Sequence, residues 1–139
     1  MISKINLACL IDDDSIYTYT MERMLSIGGY CNNLIVFKDG EEALEYFKSI
    51  TKEADKLPDV IFLDVNMPVM GGWEFLEEFT KLKPTLAKNV TIYVVSSSVF
   101  ASDIEKAKSI AAVSDYIIKP ITVEHFDRIF AFLNPPTIN

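Results

Sequence analysis

Apolar positions recur along this chain in two alternating rhythms, and the alternation predicts its architecture. Short runs rich in β-branched and aromatic residues, at 5–11, 34–37, 60–63, 91–95 and 116–118, each end in polar or turn-forming residues. Runs of that length and composition predict buried strands. Between them, apolar residues fall three or four apart, as on one face of a helix. The first such stretch carries Tyr17, Met21, Met24 and Leu25, with Ser15 or Asp14 as its cap and Gly28 and Gly29 as its stop. The second opens on Asp39-Gly40-Glu41-Glu42, a capping pattern, and turns Ala43, Leu44, Phe47 and Ile50 inward. The third, over 73–83, aims Phe75, Leu76, Phe79 and Leu82 at the core and stops at Pro84. The fourth covers about 102–113 and puts Ile104, Ala107 and Ala111 on one face. The fifth, from about 122 to 133, buries Val123, Phe126, Phe130 and Leu133 and gives way to Pro135 and Pro136. The polar stretch 51–57 reads as a loop.

Five strands alternating with five helices predict an α/β fold whose parallel sheet is covered on both faces, because parallel strands need helical crossovers. Right-handed crossovers with one reversal of direction lead to a flavodoxin-like, doubly wound (βα)5 three-layer sandwich with strand order 2-1-3-4-5. The expectation is one domain over 1–139.

This topology decides where the polar strand ends go. Asp12, Asp13 and Asp14 follow the first strand, Asp64 the third, Ser96 the fourth and Lys119 the fifth. Strands one and three are neighbours at the switch point, so the acidic residues meet across one crevice at the carboxyl edge. Each residue alone has an ordinary reading as a cap, a loop residue or a surface charge; their convergence is the signal. Three close carboxylates repel and raise one another's pKa values. A hard divalent cation with oxygen ligands removes the conflict, which points to Mg²⁺ and, with it, to a phosphoryl group. Asp64 is then ligand, nucleophile or both. Lys119 would offset phosphoryl charge, and Ser96 or its neighbour Ser97 would donate to a phosphoryl oxygen.

Composition narrows the field further. A net charge of −7 across 139 residues argues against a nucleic-acid surface or an anionic membrane surface as partner. No apolar run approaches the ~20 residues of a membrane span. Met1 to Ile5 leads directly into a strand, without a secretory signal, and the expected location is cytoplasmic. Cys9 and Cys31 are isolated and read as reduced thiols. A single His125 excludes multi-histidine metal sites.

The chain resembles the receiver (response regulator) family of two-component signalling, in its stand-alone, chemotaxis-regulator-like form. The resemblance rests on Asp12-Asp13, on Asp64 with Met67-Pro68 and Gly71, on Ser96, and on Lys119-Pro120, and it covers essentially the whole chain. It implies that Asp64 is the phosphoacceptor, fed by a phosphohistidine on a sensor histidine kinase or a histidine phosphotransfer protein. It implies that Asp13 and Asp64 bind Mg²⁺ directly, Asp12 through water, and that the backbone carbonyl of Asn66 adds a ligand. Lys119 would pair with the phosphoryl group and Ser96 would move to it, while Tyr116 would be the aromatic switch that turns inward. The Lys119–Pro120 bond would be cis. Output would pass through a surface of helix four, strand five and helix five to a downstream protein. In this reading the chain is no enzyme beyond catalysing its own phosphorylation and dephosphorylation.

Two rival classes fit the residues less well. A haloacid-dehalogenase-type phosphatase needs a second Asp two residues after its nucleophile, where this chain has Asn66. A flavin-mononucleotide binder would place its phosphate where Asp12, Asp13 and Asp14 repel it.

Overall fold

The computed structural model describes residues 5–133. The strands are β1 (Ile5–Ile11), β2 (Cys31–Phe37), β3 (Val60–Leu63), β4 (Thr91–Ser96) and β5 (Val113–Ile118). The helices are α1 (Ser15–Gly28), α2 (Gly40–Ser49), α3 (Gly72–Leu82), α4 (Ala101–Ser109) and α5 (Val123–Leu133). All strand pairs are parallel and the order is β2-β1-β3-β4-β5, as the alternation predicts. The Met1–Lys4 lead-in and the stop at Pro135 and Pro136 lie outside the described residues.

Two apolar layers sandwich the sheet. On one face α2, α3 and α4 contribute Ala43, Phe47, Phe75, Phe79 and Ala107; on the other α1 and α5 contribute Met21, Leu25, Phe126, Ile129 and Phe130. Every residue of the central strand β3 is buried, because helices cover it from both sides.

The helix starts follow side-chain chemistry. Asp14, rather than Ser15, caps α1, its carboxylate accepting from the amides of Ile16 and Tyr17. Asp39 caps α2 by accepting from Glu42. Gly29 closes α1 with φ 65°, a left-handed conformation that glycine adopts without steric cost. Thr122 precedes α5 and forms a reciprocal box with His125: the His125 amide donates to Thr122 Oγ1 and the Thr122 amide to His125 Nδ1, at 3.3 and 2.9 Å. The lone histidine is thus a capping partner, in the position usually held by Glu or Gln.

The departures from the sequence expectation cluster at the edges. Strand β2 begins at Cys31, not Leu34, because an edge strand tolerates the exposed Asn32 and Asn33 that read as loop. Helix α4 ends at Ser109 instead of continuing to Val113, and β5 starts at Val113 instead of Tyr116. The apolar Ile110-Ala111-Ala112 mimics a helix, but pairing of Val113 with Ile92 claims the chain for the sheet. Ala111 accordingly lies beyond the helix and is exposed. On α5 the inward position is Ile129, whereas Val123 in the first turn is 53% exposed. The 51–57 loop holds a short 3-10 turn, Ala54–Lys56.

Candidate functional site

Strand register builds the crevice. Ile11 pairs with Leu63, so the next residues, Asp12 and Asp64, emerge level from adjacent strands, and the Asp64 amide donates to the Ile11 carbonyl at 2.9 Å. Ser96 pairs with Ile118, and the Lys119 amide then donates to the Ser96 carbonyl at 2.8 Å. Four strands therefore deliver Asp12, Asp64, Ser96 and Lys119 to one edge. Gly72, at the start of α3, lies against this edge so closely that a Cβ would sit 2.5 Å from the Asp64 carbonyl oxygen. Only glycine allows α3 to begin there.

The carboxylates of Asp12, Asp13 and Asp64 each offer an oxygen within 4.8 Å of the others. Asp12 and Asp64 are buried and Asp13 is exposed at the mouth. Lys119 reaches in with its Nζ 2.9 Å from Asp12 Oδ2 and 4.0 Å from Asp64 Oδ2. Its ammonium also lies over the Tyr17 ring at 4.2 Å, a cation–π contact. Asp12 uses its other oxygen to accept from the Asp14 amide at 2.9 Å.

One ammonium does not balance three carboxylates, and the pKa values record the conflict. Burial, then repulsion from Asp12, pushes Asp64 up to about 6, although Lys119 and the Asn66 and Val65 amides pull the other way. Burial would lower Lys119, but its hydrogen bond to Asp12 and the fields of both aspartates outweigh it and leave its pKa raised. A set of oxygen-only donors with excess negative charge suits a hard divalent cation, so the donor chemistry fits Mg²⁺.

Ser96 is fully buried and its Oγ accepts from the Ser98 amide at 3.1 Å, while Ser97 is exposed. Tyr116 is half-buried, and its hydroxyl donates to the Ser98 carbonyl at 2.8 Å. Asn66 is exposed two residues beyond Asp64, with its amide turned to the Asp64 carboxylate. The Lys119–Pro120 bond is cis. Two participants, and one backbone feature of the adjoining turn, escaped the sequence reading. Tyr17 counted only as a helix-face residue; its place directly after the acidic run was the available signal. Ser98 ties the Ser96 hydroxyl to Tyr116, and no spacing rule announces it. Val69, in the β3–α3 turn, adopts φ 64°, which nothing in a β-branched side chain foretells.

The family model of the response regulator receiver domain matches residues 8–130. The protein-glutamate methylesterase/protein-glutamine glutaminase 1 of Myxococcus xanthus is 35% identical over 121 residues, which cover 86% of this chain but 32% of that protein. The chain thus spans about a third of that relative's length. A two component response regulator from Cytophaga hutchinsonii superposes with a TM-score of 0.85 at 24% identity, covering 94% of this chain and 98% of that one. The Mn(2+)-bound form of response regulator Rcp1 follows at 0.74 and 22%, covering 96% and 99%. At those identities the solved structures show a common fold. Among the described residues no helix is long and apolar enough to cross a membrane. The match over most of the chain, on a fold whose carboxyl edge gathers an acidic pocket, shows that this chain belongs to the response regulator receiver domain family of two-component systems.

Proposed function

We propose that Asp64 is the phosphoacceptor of this receiver domain and that its modification switches a surface for a protein partner. The observation that carries the reading is the grouping of buried Asp64 and Asp12 with exposed Asp13 and a single lysine at one sheet edge. A carboxylate oxygen of Asp64 attacks the phosphorus of a phosphohistidine on a sensor histidine kinase or phosphotransfer protein. The P–N bond breaks, its electron pair returns to the imidazole, and a P–O bond to Asp64 forms. Lys119 lies 4.0 Å from the Asp64 oxygen, where its ammonium offsets charge on the transferred group. Asp12, Asp13, Asp64 and the Asn66 carbonyl would hold Mg²⁺, which when bound supplies further neutralisation of carboxylate and phosphoryl oxygens. The chain acts on no other substrate in this reading.

Phosphorylation adds roughly −1.5 to −2 charge and three strong acceptors at the crevice. The Ser96 hydroxyl, at the end of β4 beside β3, is the donor that turns toward it. Turning it to the phosphoryl group gives up its bond from the Ser98 amide, and Tyr116 holds the Ser98 carbonyl. Tyr116 thereby senses the rearrangement and passes it to α4, β5 and α5, where Lys106, Lys108 and Arg128 are exposed to a partner. The modification biases an existing equilibrium between two packings.

Radiolabelled small phosphodonors with Mg²⁺ test the assignment. The wild type should take up acid-labile label and Asp64→Asn none, with unchanged far-UV circular dichroism. Label in Asp64→Asn would end the reading. Ser96→Ala should accept label yet show no amide-exchange change in α4 and β5, whereas Ser97→Ala should behave as wild type. Lys119→Ala should bind Mg²⁺ but fail to show that change.

A further inference from the structure

A groove of ≈660 Å³ lies between α3 and α4, and its lining includes none of the crevice residues Asp12, Asp13 and Asp64. Helix α4 ends at Ser109, and the chain beyond it, through Ile110 and Ala111, lines the groove together with α3. Trp73 and Leu76 of α3 form one wall and Ile110 and Ala111 part of the other. Apolar side chains therefore dominate the interior, and the polar groups sit on the rim.

The state of those rim charges decides what the groove can take. Lys81 pairs with Glu78 at 3.2 Å, whereas the exposed Lys106 rests its ammonium 4.8 Å from the Trp73 ring centroid and keeps its charge. The carboxylates of Glu74 and Glu77, one helical turn apart on α3, make no hydrogen bond or ion pair with any described residue. With the Lys81–Glu78 pair neutral, two carboxylates face the one Lys106 ammonium, so the rim keeps a net negative charge on a chain of net −7.

We infer that the α3–α4 groove is a docking site for a cationic amphipathic helix of a partner protein. Its apolar stripe fills the groove against Trp73 and Ile110. Lys or Arg residues one turn apart on the flank of that stripe pair with Glu74 and Glu77. The acidic field of the chain steers the encounter. The inference does not depend on phosphoryl chemistry at Asp64 and involves a surface other than β5 and α5.

The test uses the full chain and a synthetic helical peptide of Leu and Lys, with Leu at helical spacing. Trp73 is the sole tryptophan, so its emission reports occupancy directly. Saturable change in emission is expected, with backbone amide shifts confined to α3, α4 and the turn after Ser109. Glu74→Lys with Glu77→Lys should weaken binding roughly tenfold or more. Glu22→Lys with Glu124→Lys, on exposed positions of α1 and α5, alters net charge equally and at about 0.15 M salt should leave affinity within about twofold, since charges more than about 8 Å away are then largely screened. Equal losses from both pairs would reduce the effect to net charge and overturn the site. So would shifts centred on α1 or α5, equal affinity for a Leu–Glu peptide, or undiminished affinity for a Ser–Lys peptide. Circular dichroism of the charge variants, all at exposed positions, separates lost binding from lost folding.

Discussion

At the carboxyl edge of the sheet two buried carboxylates share one ammonium, whereas near the amino edge Tyr30 donates its hydroxyl to Asp127 at 2.6 Å. Both places remove an ionisable group from water and both raise its pKa. Burial, then repulsion from Asp12, brings Asp64 to about 6; burial, then the hydrogen bond to Asp127, brings Tyr30 to about 12. The consequences differ because the windows differ. Each folded-state value lies above the ordinary one, so folding holds the proton more tightly, and stability falls as pH rises from the ordinary to the folded value. For Tyr30 that interval, from 10 to about 12, lies above working pH, and the tyrosine is a neutral, satisfied donor in both states. For Asp64 it runs from 3.8 to about 6, so at neutral pH the folded chain carries an ionised carboxylate that its surroundings disfavour. The strain sits at the candidate site alone of these two, and it is relieved by whatever cation or bond Asp64 acquires.

The largest expected effect comes from the apolar layer against which Tyr30 packs. Phe126→Ala empties the α1/α5 layer beside Phe62 and Phe130 and should lower stability by about 3–5 kcal/mol in urea denaturation. A smaller loss would mean that the aromatic layer is less decisive than the polar ties it surrounds. Tyr30→Phe keeps the stack on Phe130 and removes only the bond to Asp127, so the loss should be about 1–2 kcal/mol. Asp64→Asn should do the opposite. Without metal at pH 7 it should gain about 0.5–2 kcal/mol, and the gain should shrink by pH 4.5, where the native carboxyl is already protonated. A loss at pH 7 would contradict the contrast drawn between the two sites. Mg²⁺ should stabilise the wild type above pH 6, progressively less below it and little in Asp64→Asn, as thermal melts across pH would show. The smallest effect belongs to Val69, a β-branched and exposed residue at φ 64°. Val69→Asn, which tolerates that conformation better, should gain about 0.5–1 kcal/mol without altering Mg²⁺ binding.

The interior elements were legible because they follow a single rule. Strand β3, buried on both faces, is continuously apolar, and α3 carries Phe75, Leu76 and Phe79 at unbroken helical spacing. The edges obey two rules at once. Asn32 and Asn33 in β2, and Ser114 and Asp115 in β5 where the register shifts, are adjacent exposed polar residues that break the apolar run, so local pattern reads them as loop. The boundary between α4 and β5 is decided by the pairing of Val113 with Ile92, a contact between residues far apart in sequence.

The sequence by itself determined the strand order and the meeting of Asp12, Asp13, Asp64, Ser96 and Lys119, because alternating periodicities dictate crossovers and crossovers dictate which strand ends are neighbours. Tertiary structure alone decided how those groups stand toward one another. Strand register brings Asp12 level with Asp64, and Gly72 admits α3 against the Asp64 backbone. The Ser98 amide and carbonyl join the Ser96 hydroxyl to Tyr116, and the turn after α4 lines a groove together with Trp73. Such contacts depend on distances of a few ångströms between segments remote in the chain, and residue spacing along a sequence carries no record of them.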